Sequence, residues 1–322
     1  MAFANIYGHL RPIGMLEKSM AQKRVAHSYL FSGPEAVGKK TVALAFAQAL
    51  ICENHSACDK CPACLKMLHG THPDIHVVET DAQFIRIDTI RGIQDQMTFR
   101  PLEGQKRIFI INGADKMNEP AANALLKTLE EPSADNILIL ITTRPFWLPQ
   151  TIVSRCRHIR FNPLPTETIA GFLTKQRQME HTKAHLLAAL SGGSIGQALA
   201  LDSEEMIAYR AELGRLLAAA GPDNPLASLT LSAFLGQDKK EIRQGLNILN
   251  TFFRDALVYK ETGRASMVIN ADLLPVVSAL AFGLRGEQIL QNMALVEKSA
   301  EYVDMNVNKS LTLEAMAFKL HL

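Results

Sequence analysis

The sequence predicts an α/β P-loop domain with a parallel sheet and a four-cysteine zinc insert, followed by a small helical domain and an all-α C-terminal domain. Three observations carry this. Five short β-branched runs alternate with helical patterns through the first half, the order that produces a parallel sheet with crossover helices. A glycine-rich loop ending in lysine follows the first of those runs. After residue 162 the strand signals stop, and helical ones continue to the end.

The strand candidates are 28–31, 75–78, 107–111, 136–141 and 157–161, each a nearly continuous apolar run of the kind expected for strands covered on both faces. Asn162-Pro163-Leu164-Pro165 interrupts regular structure and reads as a hinge. Beyond it, Ile169, Phe172 and Leu173 recur at helical spacing behind a Thr166 cap, and 185–190 form a second apolar segment. Ser191-Gly192-Gly193 breaks the chain before a helix restarts over 195–201. Ile242, Leu246, Leu249, Phe253 and Leu257 mark one face of a long helix, and Ile289, Met293, Val296 and Ala300 mark another. With no internal repeat or low-complexity tract, the expected domains are 1–162, 163–205 and 206–322.

At 322 residues, with 48% hydrophobic and 20% charged, the chain is too long for one ordinary core. The 34 basic and 32 acidic residues leave a formal charge of +2, so bulk electrostatics neither supports nor excludes nucleic acid. Residues 1–12 lack the cationic and apolar pattern of a secretory signal, and the most apolar runs, 108–111 and 137–141, are far short of the ~20 residues of a membrane helix. The expectation is a soluble, cytoplasmic protein with no membrane partner. Four of five cysteines crowd between Cys52 and Cys64, and in a reducing compartment that favours metal over disulfides.

Gly33-Pro34-Glu35-Ala36-Val37-Gly38-Lys39 lies between a strand and a helix carrying Val42, Ala43, Ala45, Phe46 and Ala49. That context suits a P-loop, because glycines let backbone N–H groups face phosphate while the lysine reaches the β and γ oxygens. The next position, where Ser or Thr would bind Mg2+, is Lys40. Thr41 is one residue late, which on a helix turns its hydroxyl about 100° away. The strand that should end in a Mg2+-holding acid runs into Asn112-Gly113-Ala114-Asp115. Asn112 supplies no charge and Gly113 cannot polarise water, while Asp115 reads as a cap of the following turn or a displaced acid. ATP binding at Gly33, Gly38 and Lys39 stays open, and hydrolysis is not expected.

Cys52, Cys58, Cys61 and Cys64 form C-x5-C-x2-C-x2-C, four thiolates within thirteen residues, enough for a tetrahedral structural Zn2+ site. A disulfide pair and an iron–sulfur cluster are the alternatives. His55, His69 and His72 read as surface or turn residues, and Lys60 and Lys66 are too few cations for a nucleic-acid zinc knuckle.

Several stretches together resemble the bacterial clamp-loader subunits of the AAA+ class. They are His27-Ser28-Tyr29-Leu30-Phe31-Ser32-Gly33-Pro34, the cysteine insert and His72-Pro73-Asp74. Asn123-Ala124-Leu125-Leu126-Lys127-Thr128-Leu129-Glu130-Glu131-Pro132, Thr151-Ile152-Val153-Ser154-Arg155-Cys156 and Asn306-Val307-Asn308 complete the set. The resemblance implies a lid over 163–205, a collar over 206–322, and a heteropentamer with γ/τ and δ subunits. That assembly opens a sliding clamp and closes it on primer-template DNA during DNA polymerase III replication. It further implies that Arg155 acts in trans on a neighbour's ATP and that Thr142 or Thr143 occupies a γ-phosphate-sensing position. Gly196 stands where hydrolysing members carry a lid arginine. A permanently charged planar fork suits transferred phosphate, worth on the order of 10³–10⁵ in rate. From residues alone, Arg155 is one arginine before a strand that could pair with a surface acid, and Cys156 is a buried small residue. The leading expectation is a non-hydrolysing accessory subunit. An active γ/τ-like ATPase and a stand-alone zinc-dependent DNA-binding protein are the alternatives.

Overall fold

The computed structural model describes residues 3, 6–54, 56–80, 82, 84–221, 224–305 and 307–322. Internal contacts divide the chain into two compact units, one of Met1–Gln178 with Gly192–Gln197, the other of Met179–Ser191 with Ala198–Leu322.

The first unit runs α1 (Leu10–Ala21), β1 (Ser28–Ser32), α2 (Lys39–Ile51), α3 (Pro62–Leu68), β2 (Ile75–Val78), α4 (Ile87–Met97), β3 (Arg107–Asn112), α5 (Glu119–Glu130), β4 (Asn136–Thr142), α6 (Gln150–Arg155), β5 (Arg157–Arg160) and α7 (Thr166–Arg177). All five expected strands are present and pair in parallel in the order β2-β3-β4-β1-β5. Alternation along the strands sends Tyr29, Phe31, Ile108, Ile110, Ile137 and Ile139 toward Val42 and Phe46 of α2. Leu30, Phe109, Ile111, Leu138 and Leu140 face Ile90 and Ile93 of α4, Leu125 of α5 and Ile152 of α6. β1, β3 and β4 are therefore covered on both faces. The two outer strands depart from that expectation: Val77 of β2 is exposed and β5 buries only Ile159, because an edge strand has a neighbour on one side alone. The Thr166 cap is also corrected, since Pro165 occupies the N-cap and Thr166 is the first helical residue. No single helix among the described residues is long and apolar enough to cross a membrane, and the two most apolar runs are β3 and β4 of this sheet.

Asp74, just before β2, organises the approach to β3. Its buried carboxylate accepts N–H bonds from Leu102 at 2.7 Å and from Glu103 and Gly104 at 2.9 Å, and lies 3.4 Å from the buried Arg107 guanidinium. Burial opposes its ionisation, but the three N–H donors and Arg107 outweigh it and hold the carboxyl below its ordinary range. Asp74→Asn is expected to destabilise the chain by about 3 kcal/mol at neutral pH, measured by denaturant unfolding. Because the folded-state value is depressed, this contribution is present above the ordinary aspartate pKa of about 4 and lost as pH falls through the lower folded value. The gap between wild type and variant therefore narrows in acid.

The second unit is all helical: α8 (His181–Leu190), the end of α9 (Ile195–Ala200), α10 (Glu204–Ala219), α11 (Pro225–Phe234), α12 (Lys239–Thr262), α13 (Leu274–Gly283), α14 (Gly286–Asp304) and α15 (Lys309–Lys319). α12 starts in a capping box of Asp238 and Glu241, and buries Ile242, Leu246, Leu249, Phe252 and Phe253. Its buried Asp255 accepts from the backbone of Ile269 and Asn270 and from Asn270 Nδ2 at 2.8 Å, fixing the connection to α13.

Candidate phosphate loop, metal cluster and arginine

Because the sheet is parallel, the ends of β1, β2, β3 and β4 lie at one edge, the place where open α/β sheets bind ligands. Gly33–Lys39 leaves β1 there and enters α2. Gly33 has φ 152° and an added Cβ would stand 2.3 Å from the Phe161 carbonyl oxygen, so only glycine fits. Gly38 is the N-cap of α2. Lys39 is 5% exposed, and its ammonium donates to the carbonyls of Gly33 at 2.7 Å and Pro34 at 2.5 Å. Burial lowers its pKa to about 8, against the carboxylates of Asp115 and Glu35.

Lys40 and Asn112 meet on a residue that sequence reasoning passed over. Glu79, directly after β2, takes Lys40 Nζ at 2.8 Å on one oxygen and Asn112 Nδ2 at 2.7 Å on the other. The hydrogen bond from Lys40 leads in holding the Glu79 carboxyl below its ordinary range, burial opposes it, and Asn112 adds to the lowering. A signal existed, since Glu79 is an acid at the carboxyl end of a predicted parallel strand. Thr41 is exposed on α2.

Asp115 corrects the expected turn cap. Gly113 caps the short 3-10 turn over Ala114–Lys116, while Asp115 Oδ1 accepts from the Thr142 hydroxyl at 2.6 Å and the Thr143 N–H at 3.3 Å. The Thr142 hydroxyl also accepts from Arg144 N at 2.9 Å, so it is engaged within the fold. His9, without any local signal, donates from Nε2 to the Val37 carbonyl at 2.7 Å across 28 residues of sequence. The Gly196 N–H donates to Ala36 O at 3.2 Å, and an added Cβ there would stand 2.7 Å from Ala36 Cβ. A side chain at 196 therefore collides with the phosphate loop.

Cys52 ends α2, Cys61 is the N-cap of α3 and Cys64 lies in its first turn. The four sulfurs of Cys52, Cys58, Cys61 and Cys64 all lie within 4.8 Å of one another, compatible with the ~3.8 Å spacing around a tetrahedral zinc, and none is in a disulfide. The set can hold a metal ion. Burial works against the Cys52 thiolate, but the N–H groups of Cys58, Ser56 and Asn54 bring its pKa down to about 6. Burial, then Cys61 and Cys52, pushes Cys64 up to about 12, a proton that a metal would displace. His69 is exposed as expected, but His72 is 4% exposed, accepting the Asp74 N–H on Nδ1 at 3.1 Å in a buried turn. His55 and Asn306 lie outside the described residues.

Arg155 is the last residue of α6, at the opposite end of the sheet from its own phosphate loop. Ser28, the first residue of β1, donates through Oγ to the Arg155 carbonyl at 2.8 Å. The phosphate loop begins only after Ser32, four strand steps or roughly 13 Å away. The Arg155 side chain is 38% exposed, donates to the Thr151 carbonyl at 3.1 Å and pairs with Glu130 at 2.9 Å, the surface pairing open to any arginine there. Cys156 is buried as expected, and burial pushes its thiol up to about 11.

Residues 8–165 match the protein family described as DNA polymerase III, delta subunit, and residues 205–321 match its C-terminal counterpart. The DNA polymerase III subunit delta′ of Bacillus subtilis is 30% identical over 317 residues, covering 96% of this chain and 95% of that protein. The subunit tau of the same organism is 31% identical over 285 residues, covering 80% of this chain and 50% of that protein. Among solved structures, a DNA polymerase III gamma subunit-related protein of Thermotoga maritima covers 94% of this chain and 97% of its own, at 18% identity and a TM-score of 0.43.

Proposed function

The chain belongs to the DNA polymerase III delta′ family of clamp-loader subunits, and from that premise we propose that it is the non-hydrolysing stator, lending Arg155 to a neighbouring subunit's ATP site. The observation that carries this is the separation of Arg155 from Gly33–Lys39 by the length of β1. An exposed arginine a strand length from its own loop is distant from that loop's phosphate position, which supports a role toward a phosphate held by another chain. The chemistry expected of its own loop is missing in three places: Lys40 for the metal-binding hydroxyl, Asn112-Gly113 for the acids, and Gly196 for the lid arginine. Thr142, the fourth group, is committed to Asp115.

In this reading 1–162 form the nucleotide-type domain, 163–205 the lid and 206–322 the collar that joins the γ/τ and δ subunits. Clamp and primer-template DNA are met through the complex, and the four-cysteine set holds structural zinc.

A second reading, an active ATPase of the γ/τ kind, is favoured by the match to tau and by the retained Gly33–Lys39 loop. ATP turnover of the isolated chain separates the two. Background turnover with and without Mg2+ is expected; robust Mg2+-dependent hydrolysis overturns the stator. The arginine half is tested in the reconstituted complex, where Arg155→Ala should lower turnover.

A further inference from the structure

A P-loop metal ion sits beside the residue after the loop lysine and is faced by an acid at a neighbouring strand end. Here the first of these is Lys40, whose ammonium is 2.8 Å from Glu79 Oε2, while Glu79 Oε1 accepts from Asn112 Nδ2 at 2.7 Å. An ammonium thus already stands between a strand-end carboxylate and the start of α2. A divalent cation placed there must displace Lys40 and then face it, like charge against like charge. The only side chains that the two usual metal-holding positions offer are this lysine and an uncharged amide already donating to Glu79, so the residues present do not fit Mg2+.

The phosphate half is a different matter. Lys39, Lys40 and Thr41 open α2, and the N–H groups of a first helical turn have no intrahelical acceptor. Lys39 is held inside the loop on the Gly33 and Pro34 carbonyls. The loop conformation is also braced from outside, by His9 on Val37 and by Gly196 on Ala36. With the loop braced in this way, the N–H groups that open α2 and the two lysines match a polyphosphate, and Lys40 held by Glu79 supplies positive charge where a metal otherwise would.

We propose that Lys40 takes the place of Mg2+ in this P-loop, so that the loop engages the polyphosphate of a nucleoside di- or triphosphate without a divalent cation. The inference rests on the loop's being a retained phosphate cradle that does not hydrolyse; it does not depend on Arg155.

The test titrates the isolated full-length chain with ADP and with ATP by calorimetry, in Mg2+ buffer and in Mg2+-free buffer without chelator, which spares the cysteine cluster. Wild type is expected to bind ADP with dissociation constants within about threefold of each other in the two buffers. Lys40→Thr is expected to bind at least about tenfold more tightly when Mg2+ is added, because its hydroxyl, Glu79 and Asn112 then face the ion. Lys40→Met should weaken binding in both buffers. The Lys40–Glu79 pair is nearly half exposed, so these variants should keep the wild-type melting temperature. The proposal is overturned by a wild type that tightens tenfold on adding Mg2+, or by a folded wild type that binds neither nucleotide at ~1 mM. A Lys40→Thr chain as indifferent to Mg2+ as wild type overturns it too. None of these outcomes touches the stator, whose failure shows instead as ATP turnover by this chain.

Discussion

Arg155→Ala is expected to lower hydrolysis at one subunit interface of the reconstituted clamp loader by on the order of 10³-fold, while the isolated chain keeps its fold. In the proposed role the size follows from removing a permanent charge offered to a neighbour's transferred phosphoryl, in a setting where positioned charge dominates the barrier. The intact fold follows from what the side chain does within its own subunit. Its pairing with Glu130 is between side chains 38% and 50% exposed, a contact that contributes at most about 1 kcal/mol. The anchoring bond from Ser28 goes to the Arg155 carbonyl and survives the substitution. Steady-state ATP turnover of the assembled complex, beside the melting temperature of the free subunit, checks both halves. Glu130→Ala provides a control, because freeing the guanidinium should leave turnover intact, and Arg155→Lys should not restore full activity, since a point charge replaces a bidentate fork. An assembled complex whose turnover ignores Arg155→Ala removes the role.

The second large effect concerns the cysteines. Cys64→Ser should reduce bound zinc from about one ion per chain to a small fraction, read by elemental analysis, and unfold the insert between α2 and β2. Binding to such a set supplies up to ~10–16 kcal/mol of apparent free energy, and an insert this short has little apolar core of its own with which to replace it. Among the described residues, Ala63 is the non-cysteine apolar neighbour packed around the sulfurs. Ala63 and Met67 of α3 also pack against the core beside α2, and exposed bonds run from Gln48 to Asp59 at 2.8 Å and from Lys66 to Glu103 at 2.5 Å. Cys156→Ser should keep its metal, since Cys156 lies in the apolar layer with Ile152 rather than in the cluster. A metal-free chain that folds and supports the complex at wild-type level contradicts the assignment.

How far the sequence reached can be argued residue by residue. The strand 107–111 was legible because five consecutive residues with a β-branched majority, ahead of Asn112-Gly113, satisfy a rule that needs no distant partner. The cysteine set was legible for the same reason, its ligands lying within thirteen residues. Asp115 was misread because the turn next to it is local and visible, whereas Thr142, its actual partner, arrives only when β4 pairs beside β3. For His72 the turn was legible in His72-Pro73 but its burial was not, because the turn packs where Asp74 gathers the distant 102–104 segment.

By itself, then, the sequence determined the parallel α/β scaffold, the phosphate loop with its altered metal position, the four thiols and the candidacy of Arg155. The first three are set by spacing along the chain, by backbone freedom or by the chemistry of adjacent side chains, while the candidacy of Arg155 came from the resemblance of Thr151–Cys156 to the clamp-loader family. Only the tertiary structure decided that Glu79 holds Lys40 and Asn112, that Gly196 presses on Ala36, and that Arg155 starts a strand length from its own loop. Those facts depend on which strand lies beside which and at what register, and sheet order is fixed by burial of whole faces, a property that no local stretch of residues carries.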